Sequence, residues 1–491
     1  MDRLSELPDR IIRHILCLVP TIYAVRMSLL SKRWRYMWYS LPVLEFSDHD
    51  FAGAILQHKL GRFMDKCLKL RENDMLNVTD NTITKFKLLT YYSWGSNDVG
   101  WFKLVARSNI KELDLYIIRS GDGKLWHLPV DLLRVSSLTH LRLSGIQLKD
   151  LHSTSLPLLI SLSLVRVHLD DQAIRNILLG CCSLEKLLLD SCHGSLNIEV
   201  SSISLKSLKI DCCTGLLKLA ISSSSIEFLE MDSSTCATFQ IKAVNLESLR
   251  LSDTVLKDIH SVSLPSLVSL SLVRVRLDDQ AIHNLLSGCC SLEKLFLDSC
   301  HGLYKPEVSS LSLKFLEIDS CQCPRFEIKA IKLESLLCHG VRACFKLNLS
   351  SCKTLKNLSL TSSISSEQGL EYAIPRLTCL ESLTLHYYSE WKHVKIYSQH
   401  LKHFFWEVKD HTSSCDEVEV TLDTPNLVYF SFGGYPTAKI SMNVPNLSEA
   451  NVRFFTQDYN LSWYTNLLDF LMNFDRLMNL GLRVDSEEVP I

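Results

Sequence analysis

The chain has 491 residues, 46% hydrophobic and 22% charged, with a formal net charge of −2. This composition excludes wholesale disorder, and near-zero charge argues against nucleic-acid binding by bulk electrostatics, although it leaves a local basic patch open. No stretch approaches the roughly 20 apolar residues of a membrane helix, and the N-terminus, MDRLSELPDRIIRHIL, is charged from Asp2 and lacks a signal-peptide core. The expected location is the nucleus, the cytoplasm or both. Eighteen cysteines in such a chain are expected as free thiols, and no C-x-x-C spacing occurs.

Residues 1–46 predict three short helices. Leu7-Pro8-Asp9 opens the first, with proline suited to the first turn and aspartate to the helix dipole. Ile11, Ile12, Ile15 and Leu16 supply its apolar spacing. Thr21 is expected to cap a second helix after Pro20, with Val25 and Leu29 facing inward. Ser31 is expected to cap a third, Lys32–Trp38, which Pro42 ends. The basic run Lys32-Arg33-Trp34-Arg35 is read as a solvated helix face. Fewer than 50 residues make a thin core, so the module needs a partner or a following domain. Residues 47–82 are expected as a helical linker.

From residue 83 to 491 the chain is repetitive. Residues 150–194 and 258–302 share 36 of 45 positions at an offset of 108. Within this block runs the shorter unit L-x-x-L-x-L, beginning among other places at Leu138, Leu159, Leu184, Leu205, Ile226, Leu246, Leu267, Leu292, Leu313, Leu333, Leu355, Leu380 and Leu401. Steps of 20 to 25 residues with this core define leucine-rich repeats. Each L-x-L alternation predicts a short strand with one buried face. Cys192, Cys213, Cys300 and Cys321 occupy the ninth position, where the chain turns out of the strand, and are read as structural. Asp170 and Asp278 are read as helix caps, and Gly180 and Gly288 as helix ends, so the 25-residue repeats carry helices. The 20–21-residue repeats are expected to return through a short turn or irregular segment. Residues 401–491 are atypical.

The N-terminal segment resembles an F-box, on Leu4-Ser5-Glu6-Leu7-Pro8-Asp9, Ile12, Ile15-Leu16, Leu18-Val19-Pro20-Thr21, Ala24-Val25-Arg26 and Leu29 through Trp38. With Val43-Leu44-Glu45-Phe46, Thr424-Pro425-Asn426-Leu427 and the repeats, the chain resembles the plant F-box/LRR group. It departs from that group at Tyr23, where an acidic residue is common, and no FBD module is recognised after Leu477. The last strand pair is accordingly expected to lack its usual cap.

The expected fold is an α/β solenoid: a small all-α F-box of three short helices (1–46), then a leucine-rich-repeat horseshoe with parallel strands on its concave face. The resemblance implies the substrate-recognition subunit of an SCF (Skp–cullin–F-box) ubiquitin ligase, with no catalysis, cofactor or metal of its own. The F-box would bind a Skp-type adaptor, and through it a cullin–RING scaffold, using Leu7, Pro8, Ile11, Ile15, Leu16, Val25, Leu30, Ser31 and Trp34. Ile12 and Leu29 are assigned to the module's own core. The repeats would hold an unidentified protein target on outward apolar positions: Leu188, Phe228, Phe296, Phe315, Leu337, Phe405 and Tyr429. A lateral contact of Phe296 with Phe315 is expected. The alternative is a scaffold that binds the adaptor without promoting degradation. The motifs H-E-x-x-H, G-x-S-x-G, G-x-G-x-x-G and the phosphate-binding G-x-x-x-x-G-K-[ST] do not occur, which speaks against an enzyme or a nucleotide-binding receptor.

Overall fold

The computed structural model describes residues 6–50, 57–74, 83–91, 99–118, 126–148, 154–232, 236, 238–256, 263–340, 346–361, 371–387, 393–408, 419–456, 461–474, 477 and 479–486. Leu4 and Ser5 of the N-terminal motif, and Asp150 and Asp258, which open the duplicated blocks, lie outside them. Among the described residues no helix is long and apolar enough to cross a membrane. The chain forms two compact units, Met1–Ala243 and Val244–Ile491.

The first unit opens with α1 (Asp9–Cys17), α2 (Thr21–Met27) and α3 (Lys32–Tyr39). Ile12, Leu16, Ile22, Ala24, Trp34 and Trp38 form their core. Ser31 caps α3, accepting the Trp34 N–H at 3.3 Å. Thr21 does not cap α2. It is the first helical residue after Pro20, and its hydroxyl accepts the Glu45 N–H at 2.7 Å. Arg33 pairs with Asp9, while Lys32 and Arg35 are exposed.

The parallel ladder begins ahead of the first repeat pattern. The strand Val43–Ser47 pairs in register with Lys85–Thr90. Between them runs α4 (Gln57–Asp74), which buries Leu60, Met64, Cys67, Leu68 and Arg71. This spacing marks one helical face. Phe46 from the strand meets Phe63 from α4 and Phe86 from the next strand. The segment expected as a linker therefore packs against the ladder through α4. Next along the chain, α5 (Val99–Arg107) buries Phe102 and Val105.

The front strands follow in chain order: Glu112–Ile117, His140–Ser144, Ser161–Val165, Lys186–Asp190, Ser207–Asp211 and Phe228–Asp232, each parallel and in register with its predecessor. Inward Leu, Ile and Met alternate with outward residues, as period-2 burial requires. One slip of register would expose the whole inward set.

The exit from each strand is also repeated. Arg166, Ser191 and Cys212 here, and Asp253, Arg274, Ser299 and Ser320 in the second unit, take positive φ near 50°, in places where Gly145 and Gly340 stand in other repeats. The next residue then turns inward. Cys192 donates its thiol to the Leu164 carbonyl, Cys213 to Leu189, Cys300 to Leu272 and Cys321 to Leu297, at 3.4–3.6 Å. These thiols fill a buried turn and satisfy carbonyls that the ladder leaves over.

The 25-residue repeats return through α6 (Asp171–Gly180) and α7 (Asp279–Ser287). Asp170 and Asp278 cap them, each accepting an alanine N–H at 2.7 Å. Gly180 is required by proximity: a Cβ there would stand 2.1 Å from the Thr154 carbonyl oxygen. The 21-residue repeats differ from expectation. They return through a second parallel sheet, whose order is Trp126–His127, Ile146–Leu148, His168–Leu169, His193–Val200, Thr214–Ser222 and Thr238–Lys242. The cause is a second alternation, Leu196, Ile198 and Val200, all buried.

The second unit repeats the plan from Ser248–Ser252 to Asn479–Ser486, with three-stranded back sheets. Where its strands begin, Glu293 pairs with Lys314, Glu334 with Lys356 and Glu381 with Lys402. These exposed pairs contribute about 0–1 kcal/mol each and reinforce register more than stability. Residues 401–491 continue the ladder, but the core changes from leucine to phenylalanine. Phe470, from the helix Leu461–Leu471, packs on Phe432 and Phe454 at 4.8 and 5.0 Å between ring centroids. On the last described strand Leu480, Leu482 and Val484 are exposed.

Candidate functional site

Two surfaces carry the residues singled out from sequence. On the N-terminal helices, Pro8, Ile11 and Leu30 are exposed, and Leu7, Ile15, Val25 and Ser31 are half-buried. Ser31 also spends its hydroxyl on the α3 cap. Trp34 and Leu16 correct the expected patch. Each is only 1% exposed, because α1 and α3 pack face to face and both side chains lie between them, so they cannot meet a partner without unfolding the module. Leu29 is corrected in the opposite direction. It is 78% exposed, since α2 ends at Met27 and the chain turns outward before Ser31. Ile12 is buried, as assigned. Leu18, Tyr23 and Tyr36 are exposed too. Leu18 was legible in principle, because it follows the last turn of α1, outside the inward Ile12–Leu16 spacing.

The second surface is the outward face of the front strands. All seven residues singled out there are half-buried or exposed. In the first unit Leu188 stands level with Lys209 and Glu230, which pair at 3.1 Å. Phe228 is level with Ser207 and is 48% exposed. Leu188 and Phe228 are two strands apart and do not form one patch.

In the second unit the aromatic residues gather. Phe296 and Phe315 meet at 5.2 Å between centroids, and Leu337 follows on the next strand in the same row as Phe296 and Glu317. Phe405 and Tyr429 make a matching contact, also at 5.2 Å. The Tyr429 hydroxyl accepts from Asn451 Nδ2 at 2.9 Å. Histidines border these groups at the strand ends. His339 and His386 are 5.9 Å apart between ring centroids, and His386 Nδ1 lies 3.1 Å from Glu407 Oε2. The periodicity marked these positions as outward but could not show which rings touch, since that depends on rotamers.

Among the described residues no three metal-type ligands converge. Burial raises the thiols of Cys181, Cys289 and Cys323 to about 12, and that of Cys338 higher still, which makes them poor nucleophiles.

A family model for the F-box domain matches residues 4–46. A model described as the LRR repeats of FBD-associated F-box protein At5g56370 matches 99–261, and one described as the At1g61320/AtMIF1 LRR domain matches 239–404. F-box/LRR-repeat protein 25 of Arabidopsis thaliana is 31% identical over 202 residues, spanning 41% of this chain and 72% of that protein. The chain belongs to the F-box/LRR-repeat family. Two other A. thaliana proteins are similar to this F-box/LRR protein over shorter shares of their length. Putative F-box/LRR-repeat protein At3g18150 is 30% identical over 41% of this chain and 40% of its own. Putative F-box protein At1g49610 is 32% identical over 39% and 45%. The match thus spans less than half the length of these two relatives.

Proposed function

We propose that this F-box/LRR protein is the target-recognition subunit of an SCF-type ubiquitin ligase. The F-box module binds a Skp-type adaptor, the adaptor joins it to a cullin–RING scaffold, and the repeats hold the protein to be ubiquitinated, in the nucleus or cytoplasm. The protein performs no chemistry. It raises the effective concentration of target near a charged E2 enzyme.

The observation that carries this reading is the exposure of Leu29 and Leu30, at 78% and 52%, beside a module whose own core is already closed by Trp34 and Trp38. Adjacent exposed leucines on a soluble surface mark a contact with another protein. Ile11, Leu18 and Tyr36 add to the apolar area, and a helix of the adaptor is a suitable occupant.

The test is co-purification of the full chain with a Skp-type adaptor, followed by comparison of captured proteins with and without proteasome inhibition. Targets that accumulate only under inhibition support the reading. Adaptor binding with no inhibitor-dependent target favours the scaffold alternative. Absence of adaptor binding removes both.

A further inference from the structure

We propose that the front face of the second unit receives an α-helix of the target, lying along the strands and bearing basic residues beside its apolar stripe. This rests on the target-recognition reading and specifies its occupant.

The proposal starts from one row of the ladder. Leu337, Ser359, Thr384 and Phe405 are consecutive partners on four neighbouring strands. The two middle residues are small and half-buried. On one side stand Leu337, Phe315 and Phe296, and on the other Phe405 and Tyr429, each side closed by a ring contact. The result is a trough with apolar walls and a hydroxyl floor. Three strand spacings of about 4.8 Å separate Leu337 from Phe405, or roughly 14 Å. An α-helix with its side chains is about 10–12 Å across. A five-residue strand is about 16 Å long, enough floor for three helical turns.

An extended segment fits less well. The strands Asn357–Thr361 and Ser382–Tyr387 are paired on both sides, so the trough offers no free backbone edge for strand addition. A helix needs none. Its apolar side chains reach the walls, and its small or polar residues meet Ser359 and Thr384.

Charge selects the kind of helix. Asp298, Glu317 and Asp319 face outward beside the first wall, and Glu407 beside the second. An acidic-flanked trough favours lysine or arginine at the borders of the incoming stripe.

The test pans the full chain against a display library of single α-helices carried on a rigid helical scaffold, with one face randomised. The expected result is enrichment of helices with apolar residues at i, i+3 or i+4, and i+7, bordered by Lys or Arg. Their affinity should fall at least tenfold on Ser359→Trp, which fills the floor, and on Phe405→Ala, which removes a wall. Thr384→Trp serves as a second filling variant should Ser359→Trp not fold. Failure to enrich such helices, or binding indifferent to these substitutions, overturns the proposal. Adaptor binding is measured in parallel. Its absence from the unaltered chain counts against the ligase reading alone, and its retention by the variants shows that a lost helix is not lost folding.

Discussion

Arg71 donates from Nη2 to the main-chain carbonyl of Leu41 at 2.7 Å. Arg71 belongs to α4, while Leu41 closes the N-terminal helices, so one side chain ties the F-box to the ladder. The guanidinium also lies over the Trp38 ring at 5.9 Å. It is fully buried, and desolvation lowers its pKa to about 10, so it stays charged at neutral pH. Arg71→Ala should destabilise the protein by about 3 kcal/mol, since it strands a buried carbonyl and opens a cavity beside Trp38. Arg71→Lys should recover only part, because a single ammonium cannot reproduce the planar contact. Denaturant melts of the three proteins check this, and equal midpoints would contradict it.

The corrected F-box surface separates two kinds of variant. Trp34→Ala should cost about 3–5 kcal/mol as a core truncation. Leu29→Asp and Leu30→Asp should leave the melting temperature nearly unchanged and weaken adaptor binding by at least tenfold. Calorimetric titration beside thermal unfolding distinguishes them. A stable Trp34→Ala protein, or a destabilised Leu29→Asp protein, would return both residues to their sequence-based roles.

How much of this was readable in advance differs by level. The leucine spacing identified the front strands, the ninth-position cysteines and the aspartate caps, because each follows from one repeated local geometry. The second sheet of the 21-residue repeats was missed, although Leu196, Ile198 and Val200 alternate as clearly as any front strand, since a shorter step was taken to mean less structure. Trp34 and Leu29 were assigned the wrong way round because helical periodicity shows which residues share a face but not whether that face meets the module or the solvent. Arg71 could not be read at all: a charged side chain 30 residues from its partner leaves no periodic signal.

The thiols should divide by position under brief alkylation of the native protein. Cys182 and Cys290 are exposed and should react. Cys212 is also exposed, but the carboxylate of Asp211 raises its pKa, so it should react more slowly than either. Cys192, Cys213, Cys300, Cys321 and Cys338 are buried and should stay unmodified until the protein is denatured. Peptide mass spectrometry reads each site, and native labelling at Cys192 or Cys300 would contradict the turn geometry.

Asp170 and Asp278 hold equivalent caps in the duplicated blocks. Replacing either with alanine should cost about 1 kcal/mol, and asparagine at the same place should restore most of it. The two effects should be alike, and nearly additive in the double variant, because the caps are remote in the chain and share no partner. Chemical denaturation of the single and double variants checks this. A loss confined to one block would mean that the two helices are held differently.

The central claim is that the N-terminal module presents its exposed leucines to a Skp-type adaptor. Titration of the purified full chain with purified adaptor, alongside the Leu29→Asp/Leu30→Asp double variant, tests it most directly. A saturable one-to-one complex with the unaltered chain, weakened at least a hundredfold in a variant of unchanged melting temperature, is the predicted result. No complex, or one that the double variant forms equally well, would contradict it.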